Sequence, residues 1–283
     1  MPFVKYQAPS MFRRSLRSLF LVFLQALAGW ESSKAQCDPG EPNWTVASAS
    51  DAYHISKALE NCPGGLFRVD WNGHVAVEIT INVSAGTSLT INGGKHFDAI
   101  VDGGGVTQLF HLENAALTLK NITLINGHGE SGGAIQAQDG SQVHLDGMMI
   151  FANNYAQAGG ALSIESGSTL SLDGHTTFAN NTANGNLSIA DGGALWCQKS
   201  NISSSGTTVF VNNSARHGGA AKIGWSSMAY WHGNTSFINN RAKTYGGGLF
   251  EIDDTLVQFH GTTMATGNFA GLEGGAFRLG SPL

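Results

Sequence analysis

The feature that most limits what this chain can fold into is a repeat. "FANN" stands at 151–154 and again at 178–181, "FVNN" at 210–213 and "FINN" at 237–240. A Gly pair follows each, and the pairs begin at Gly132, Gly159, Gly192, Gly218, Gly246 and Gly274. The intervals are 27, 33, 26, 28 and 28 residues, the longest carrying the insertion "GNLSIAD" (185–191). A period of this length marks an array whose units are buried by their neighbours.

Residues 159–183 read "GGALSIESGSTLSLDGHTTFANNTA". Three runs, "ALSI", "STLSL" and "TTFA", alternate with period 2, and turn residues divide them. Period 2 with Gly, Asn and Asp punctuation means strands. Three short strands in one period make a coil of a parallel β-helix. The columns expected from this register are specific. Leu124, Phe151, Phe178, Phe210, Phe237 and Met264 face inward. So do Ile135, Leu162, Leu195, Ala221 and Leu249, and two residues on Ala137, Ile164, Cys197 and Ile223. Cys197 is therefore expected to be a buried free thiol. Gly147, Gly174, Gly206 and Gly233 mark one corner, and Asn154, Asn181, Asn213 and Asn240 stack at another. Stacked amides can bond one another along the axis.

Composition agrees. Charged residues make up 12% of the chain, about half the ~25% usual in globular domains, and Gly counts 38 in 283. Net charge is −5 and the repeat region has no basic run, so no nucleic-acid partner is expected. Residues 1–35 read as a cleaved signal peptide, with Arg13, Arg14 and Arg17 before the apolar run Leu19–Gly29. That run is too short to cross a bilayer, and no transmembrane segment is expected in the mature chain. Residues 36–65 form an N-terminal segment, in which "SASDAYHISKALENCPGG" reads as a capping helix. Ser48 or Ser50 is its N-cap, and Ile55, Leu59 and Cys62 share one face. Residues 66–283 are the β-helix, of about seven to eight coils. Secretion permits disulfides, and Cys37 and Cys62 are the candidate pair.

F-x-N-N followed by G-G-A-[IL], over about residues 105–280, resembles the repeats of the chlamydial polymorphic outer membrane proteins. It is also similar to right-handed, pectin-lyase-like β-helix repeats of secreted algal and protist proteins. The resemblance implies an all-β, right-handed parallel β-helix on a cell surface or outside the cell, used in adhesion. Association with an outer membrane enters only through this resemblance. The expected function is a non-catalytic scaffold binding an extracellular protein or glycan. The loop "GWSSMAYWHG" offers Trp225, Tyr230 and Trp231 as a contact patch. Sequons at Asn43, Asn82, Asn121, Asn180, Asn186, Asn201, Asn212 and Asn234 are glycosylation candidates.

The alternative is a polysaccharide lyase or glycoside hydrolase of the same fold. Polygalacturonases look like Asn-Thr-Asp, Asp-Asp, Gly-His-Gly and Arg-Ile-Lys in that order. Here Gly127-His128-Gly129 precedes Asp253-Asp254 and the other two motifs are absent. His128 aligns with Tyr155, Thr182, Ser214 and Arg241, which makes it a turn position rather than a catalytic one. Asp146 and Asp173 read as turn caps, and His175, His232 and His260 as surface residues whose offsets do not converge on a metal. Thr176, Thr208, Thr235 and Thr262 share the inward face of the Phe column, which argues against a threonine ice-binding face. No catalytic residue, metal ligand or cofactor is assigned. An enzyme should instead show a groove with two carboxylates, or a carboxylate with Arg or Lys.

Overall fold

The structure, a computed structural model, describes residues 44–96, 98–184, 191–251 and 254–279. The expected signal peptide, Cys37, Asn43, Asn186 and Asp253 lie outside the described residues. The chain divides into Met1–Glu41 and Pro42–Leu283, and every described residue belongs to the second unit.

That unit is an all-β parallel solenoid of about eight turns. One coil shows the plan. Leu162–Glu165 follows the Gly pair, Thr169–Leu172 comes next, then His175–Ala179 with the Phe, and last the two-residue strand Thr182–Ala183 after the Asn pair. Each strand pairs in parallel with its counterparts one coil back and one coil on, giving sheets of eight, nine, eight and five strands. We call them the Gly-pair, nine-stranded, Phe and short sheets.

The helix spans Ala49–Asn61 with Ser48 as N-cap. The Ser48 hydroxyl accepts from Asp51 N (3.3 Å), and the Asp51 carboxylate accepts from Ser48 Oγ (2.8 Å) and Ala47 N (3.1 Å). These bonds, the Ser48 hydroxyl foremost, hold the Asp51 carboxyl below its usual range. Ile55, Leu59 and Cys62 are buried. The helix packs on Trp44–Val46, His74–Ala76 and Ile81–Val83, which end three of the four sheets. It therefore covers strand edges at the start of the stack, as a cap should.

The inward columns carry the core. Phe151, Phe178, Phe210 and Phe237 are fully buried and stack with ring centroids 5.0, 4.9 and 5.1 Å apart. Leu124 precedes them in register. The last member differs from expectation. Phe237 pairs with Ala265, and Met264 faces outward, 48% exposed. The final copy of F-x-N-N is Ala265-Thr266-Gly267-Asn268, one residue later than a count of 27 places it, since Asn240 bonds Asn268. The inward threonine of that coil is accordingly Thr263, not Thr262, in line with the buried Thr176, Thr208 and Thr235.

The two asparagines of each motif do different work. The first takes a left-handed backbone: φ is 57° at Asn153, 56° at Asn180, 56° at Asn212 and 54° at Asn239. The second is buried and forms an amide ladder. Asn154, Asn181 and Asn213 each donate from Nδ2 and backbone N to Oδ1 of the next rung, at 2.9–3.0 Å. Each Nδ2 also bonds a carbonyl on the Phe column, as Asn213 does to Phe178 O (3.0 Å).

A second ladder, not expected from the sequence, runs beside the first. Buried Ser141, Ser168, Ser200 and Ser227 each accept through Oγ from the backbone N–H one coil back, at 3.1–3.2 Å. The glycines have a packing cause. A Cβ on Gly206 would lie 1.8 Å from Gly174 O. The Gly pair divides its labour: Gly159 has φ 57°, and a Cβ on Gly160 would lie 2.2 Å from Gly193 O.

Cys197 is fully buried and free, with Sγ 3.5 Å from Ser200 O. Burial pushes its thiol up to about 12. Iodoacetamide at pH 8 should leave Cys197 unmodified in the folded protein and alkylate it after denaturation. Rapid native labelling would contradict the buried column.

Candidate functional site

The sequence-predicted patch does not assemble. Residues 228–231 are a strand, not a loop, so their side chains alternate. Ala229 and Trp231 point inward. Trp231 is fully buried and stacks on Phe259 (5.1 Å), so it belongs to the core and not to a contact surface. Tyr230 is half-buried on the outward side of the nine-stranded sheet, beside His232. Trp225 lies in the preceding turn, against a different sheet.

Trp225 does belong to the densest chemistry among the described residues, built from two columns that face each other across the Gly-pair corner. One column precedes the Gly pairs and holds Asp191, His217, Tyr245 and Glu273. The other is the outward row of the Gly-pair sheet, Ser163, Trp196, Lys222, Phe250 and Arg278. Outward rows are normally wet, yet Ser163, Trp196, Lys222 and Phe250 are all buried. Lys222 Nζ donates to Asp191 Oδ2 at 2.5 Å, with both side chains at most 5% exposed. The ammonium also lies 4.8 Å from the Trp225 ring and 5.8 Å from Phe250. Asp191 Oδ1 and Trp196 Nε1 are buried without a hydrogen-bond partner among the described residues. Burial pushes the Asp191 carboxyl up, against the pull of Lys222.

His217 stacks on Tyr245 and Phe250, each at 5.5 Å, and its Nδ1 lies 2.6 Å from Thr244 Oγ1. Burial, then the charges of Lys222 and Arg216, lower its pKa to about 4. Folded His217 thus stays neutral where the unfolded residue takes a proton near 6.5. Its contribution to stability is fully present above pH 6.5 and is lost as pH falls through about 4. The melting-temperature gap between wild type and His217→Gln should shrink over that window, and a gap constant from about pH 7 to 4 would refute the assignment.

The turn that presents Trp225 is strained. Trp225 and Ser226 have φ of 52° and 61°. The equivalent turns one to three coils back use Asp139-Gly140, Ser166-Gly167 and a single Lys199. A bulky residue in the left-handed region costs roughly 1–2 kcal/mol. Trp225 is held there edge-on to Trp196 (6.3 Å, 77°) and over Lys222.

His128 pairs with Tyr155 in the column expected, and the rings stack at 4.9 Å. Asp146 is bonded to Lys120 (2.7 Å) and to Gly147 N (2.7 Å). Asp173 accepts from Ser205 Oγ (2.7 Å). His232 and His260 stack at 4.8 Å, while His175 pairs with Thr207 in another column. Among the described residues no three His, Cys, Asp or Glu are grouped to hold a metal. Asp254 is an exposed left-handed turn residue. Of the sequons, Asn82, Asn180, Asn201, Asn212 and Asn234 are exposed. Asn121 is part-buried and clasped between coils, its Nδ2 donating to Gly94 O (2.9 Å) and its Oδ1 accepting from Met148 N (3.0 Å). Cys62 is buried, and its expected partner Cys37 lies outside the described residues.

Among the described residues no helix is long and apolar enough to cross a membrane. The chain matches no family model, no curated protein and no solved structure.

Proposed function

We propose that the protein is a non-catalytic, secreted or cell-surface scaffold, adhesin-like, which holds a glycan or protein partner on the Trp225 corner. The observation that carries this reading is the strained Trp225-Ser226 turn. Strain of this kind persists where the surroundings enforce it, and it concentrates at binding and catalytic sites. Here it sets the Trp225 ring over Lys222, at the corner whose two columns also hold the part-exposed His217, Tyr245 and Arg278. Aromatic faces with a nearby cation suit a sugar ring or an aromatic anchor of a partner.

The test is an oligosaccharide array probed with wild type and with Trp225→Asn/Ser226→Gly, which restores an ordinary left-handed turn. Binding lost with no fall in melting temperature supports the reading, and equal binding by both proteins overturns it for this corner. A second reading, a carbohydrate-active enzyme, is favoured by one observation. Asp191 and Lys222 are the carboxylate and base such an enzyme needs at one corner. They are spent on each other and buried, which favours a structural role. Cleavage of any polysaccharide in a panel, abolished by Asp191→Asn, would replace the scaffold reading with the enzyme.

A further inference from the structure

The short sheet carries a second feature, independent of the Trp225 corner. Its outward row runs His128, Tyr155, Thr182, Ser214, Arg241 and Phe269 along the axis. Two residues further along the coil, Asn184 and Lys243 stand beside the row. Thr182, Ser214, Arg241, Asn184 and Lys243 enclose a depression of about 290 Å³, floored by two buried alanines.

Among the described residues its lining holds no carboxylate, although the chain as a whole is acidic at −5. The Arg241 guanidinium lies over the Phe269 ring at 4.5 Å, which sets its plane. Among the described residues its N–H groups bond no protein acceptor, and both Arg241 and Lys243 are exposed. Lys243 Nζ is steadied by Asn184 Oδ1 at 3.5 Å. Thr182 Oγ1 and Ser214 Oγ lie 3.1 Å apart, so one hydroxyl bonds the other and one proton is left to donate. The residues lining one small volume thus carry a guanidinium, an ammonium, an amide and two hydroxyls, and among the described residues of the lining none is acidic.

We propose that this depression binds the sulfate group of a sulfated glycan lying along the solenoid axis. Donors on four side chains match the three terminal oxygens of a sulfate ester better than the two of a carboxylate. The row supplies a place for the rest of the ligand. Successive coils are about 4.8 Å apart, so neighbouring sugar rings can meet the hydroxyl pair and then the outward edges of the Tyr155 and His128 rings, which stack on each other. A free inorganic sulfate would use the cations alone.

The experiment is calorimetric titration of the full chain with a sulfated galactan oligosaccharide. Its desulfated counterpart, a uronic-acid oligosaccharide of equal length and inorganic sulfate are titrated alongside. The sulfated chain should bind at least tenfold tighter than each of the other three. Arg241→Gln/Lys243→Gln should weaken it at least tenfold while leaving the melting temperature unchanged, since both residues are exposed. The control Arg68→Gln/Lys95→Gln, which removes two exposed cations elsewhere, should leave affinity unchanged. Equal affinity for the desulfated or uronic chain overturns the proposal, as does absence of binding. Equal loss in the control shows diffuse charge attraction and also overturns it. Inorganic sulfate binding as tightly as the oligosaccharide shows an anion site without glycan recognition, and it too overturns the proposal.

Discussion

Asn213→Ala is expected to destabilise the protein by about 5 kcal/mol, whereas Asn212→Ala, one residue earlier, should cost about 1 kcal/mol. Asn212 is exposed and supplies only a left-handed backbone, a conformation alanine adopts at a cost of roughly 1–2 kcal/mol. Asn213 is fully buried and joins three coils. Its Oδ1 accepts from both Asn181 N and Asn181 Nδ2, and its Nδ2 serves Asn240 Oδ1 and Phe178 O. Truncation strands two donors of Asn181 and the Phe178 carbonyl in a dry interior. Each orphaned group costs roughly 1–3 kcal/mol. Because a solenoid is stabilised coil by coil, the damage should concentrate near the lesion. Amide exchange should accelerate most in 178–182, 210–214 and 237–241. Equal urea stability of the two variants would refute the ladder.

Lys222→Met should cost about 3–5 kcal/mol, because it leaves Asp191 buried without its counter-charge. The site has little with which to compensate: Asp191 Oδ1 already lacks a partner among the described residues. Adding Asp191→Leu should recover most of the loss, since an apolar pair suits a corner walled by Trp196, Trp225 and Phe250. Acid should also narrow the deficit of the single variant, as a protonated Asp191 needs no counter-charge. Burial has pushed that carboxyl up, so the narrowing begins above the ordinary aspartate range. Denaturation of the single and double variants at about pH 7 and pH 5 checks this. A double variant no more stable than Lys222→Met would mean that the pair contributes through its geometry rather than its charge.

The candidate corner was mostly invisible in the sequence. Asp191 and Lys222 lie 31 residues apart, and neither sits in a recognisable motif. Their meeting depends on which outward row faces which turn. Trp231 is misplaced by a reading of composition, because "GWSSMAYWHG" resembles a loop. Its alternation, with Ala229 and Trp231 inward, emerges only when Leu172, Ser204 and Phe259 are aligned beside it. The serine ladder is legible in principle: Ser141, Ser168, Ser200 and Ser227 each stand one residue before the second strand of a coil. Serine is common at turns, and only burial separates these four from the others.

By itself the sequence determined the parallel coil, its inward columns, the corner glycines, the asparagine stack and the capping helix. These follow from local periodicity and from backbone approaches that repeat at every turn, so each copy restates the rule. Tertiary structure decided the register of the final coil, the inward side of Trp231, the burial of Lys222 with Asp191 and the cationic depression on the short sheet. Those features occur once, between residues that meet only after stacking, so no repeat announces them.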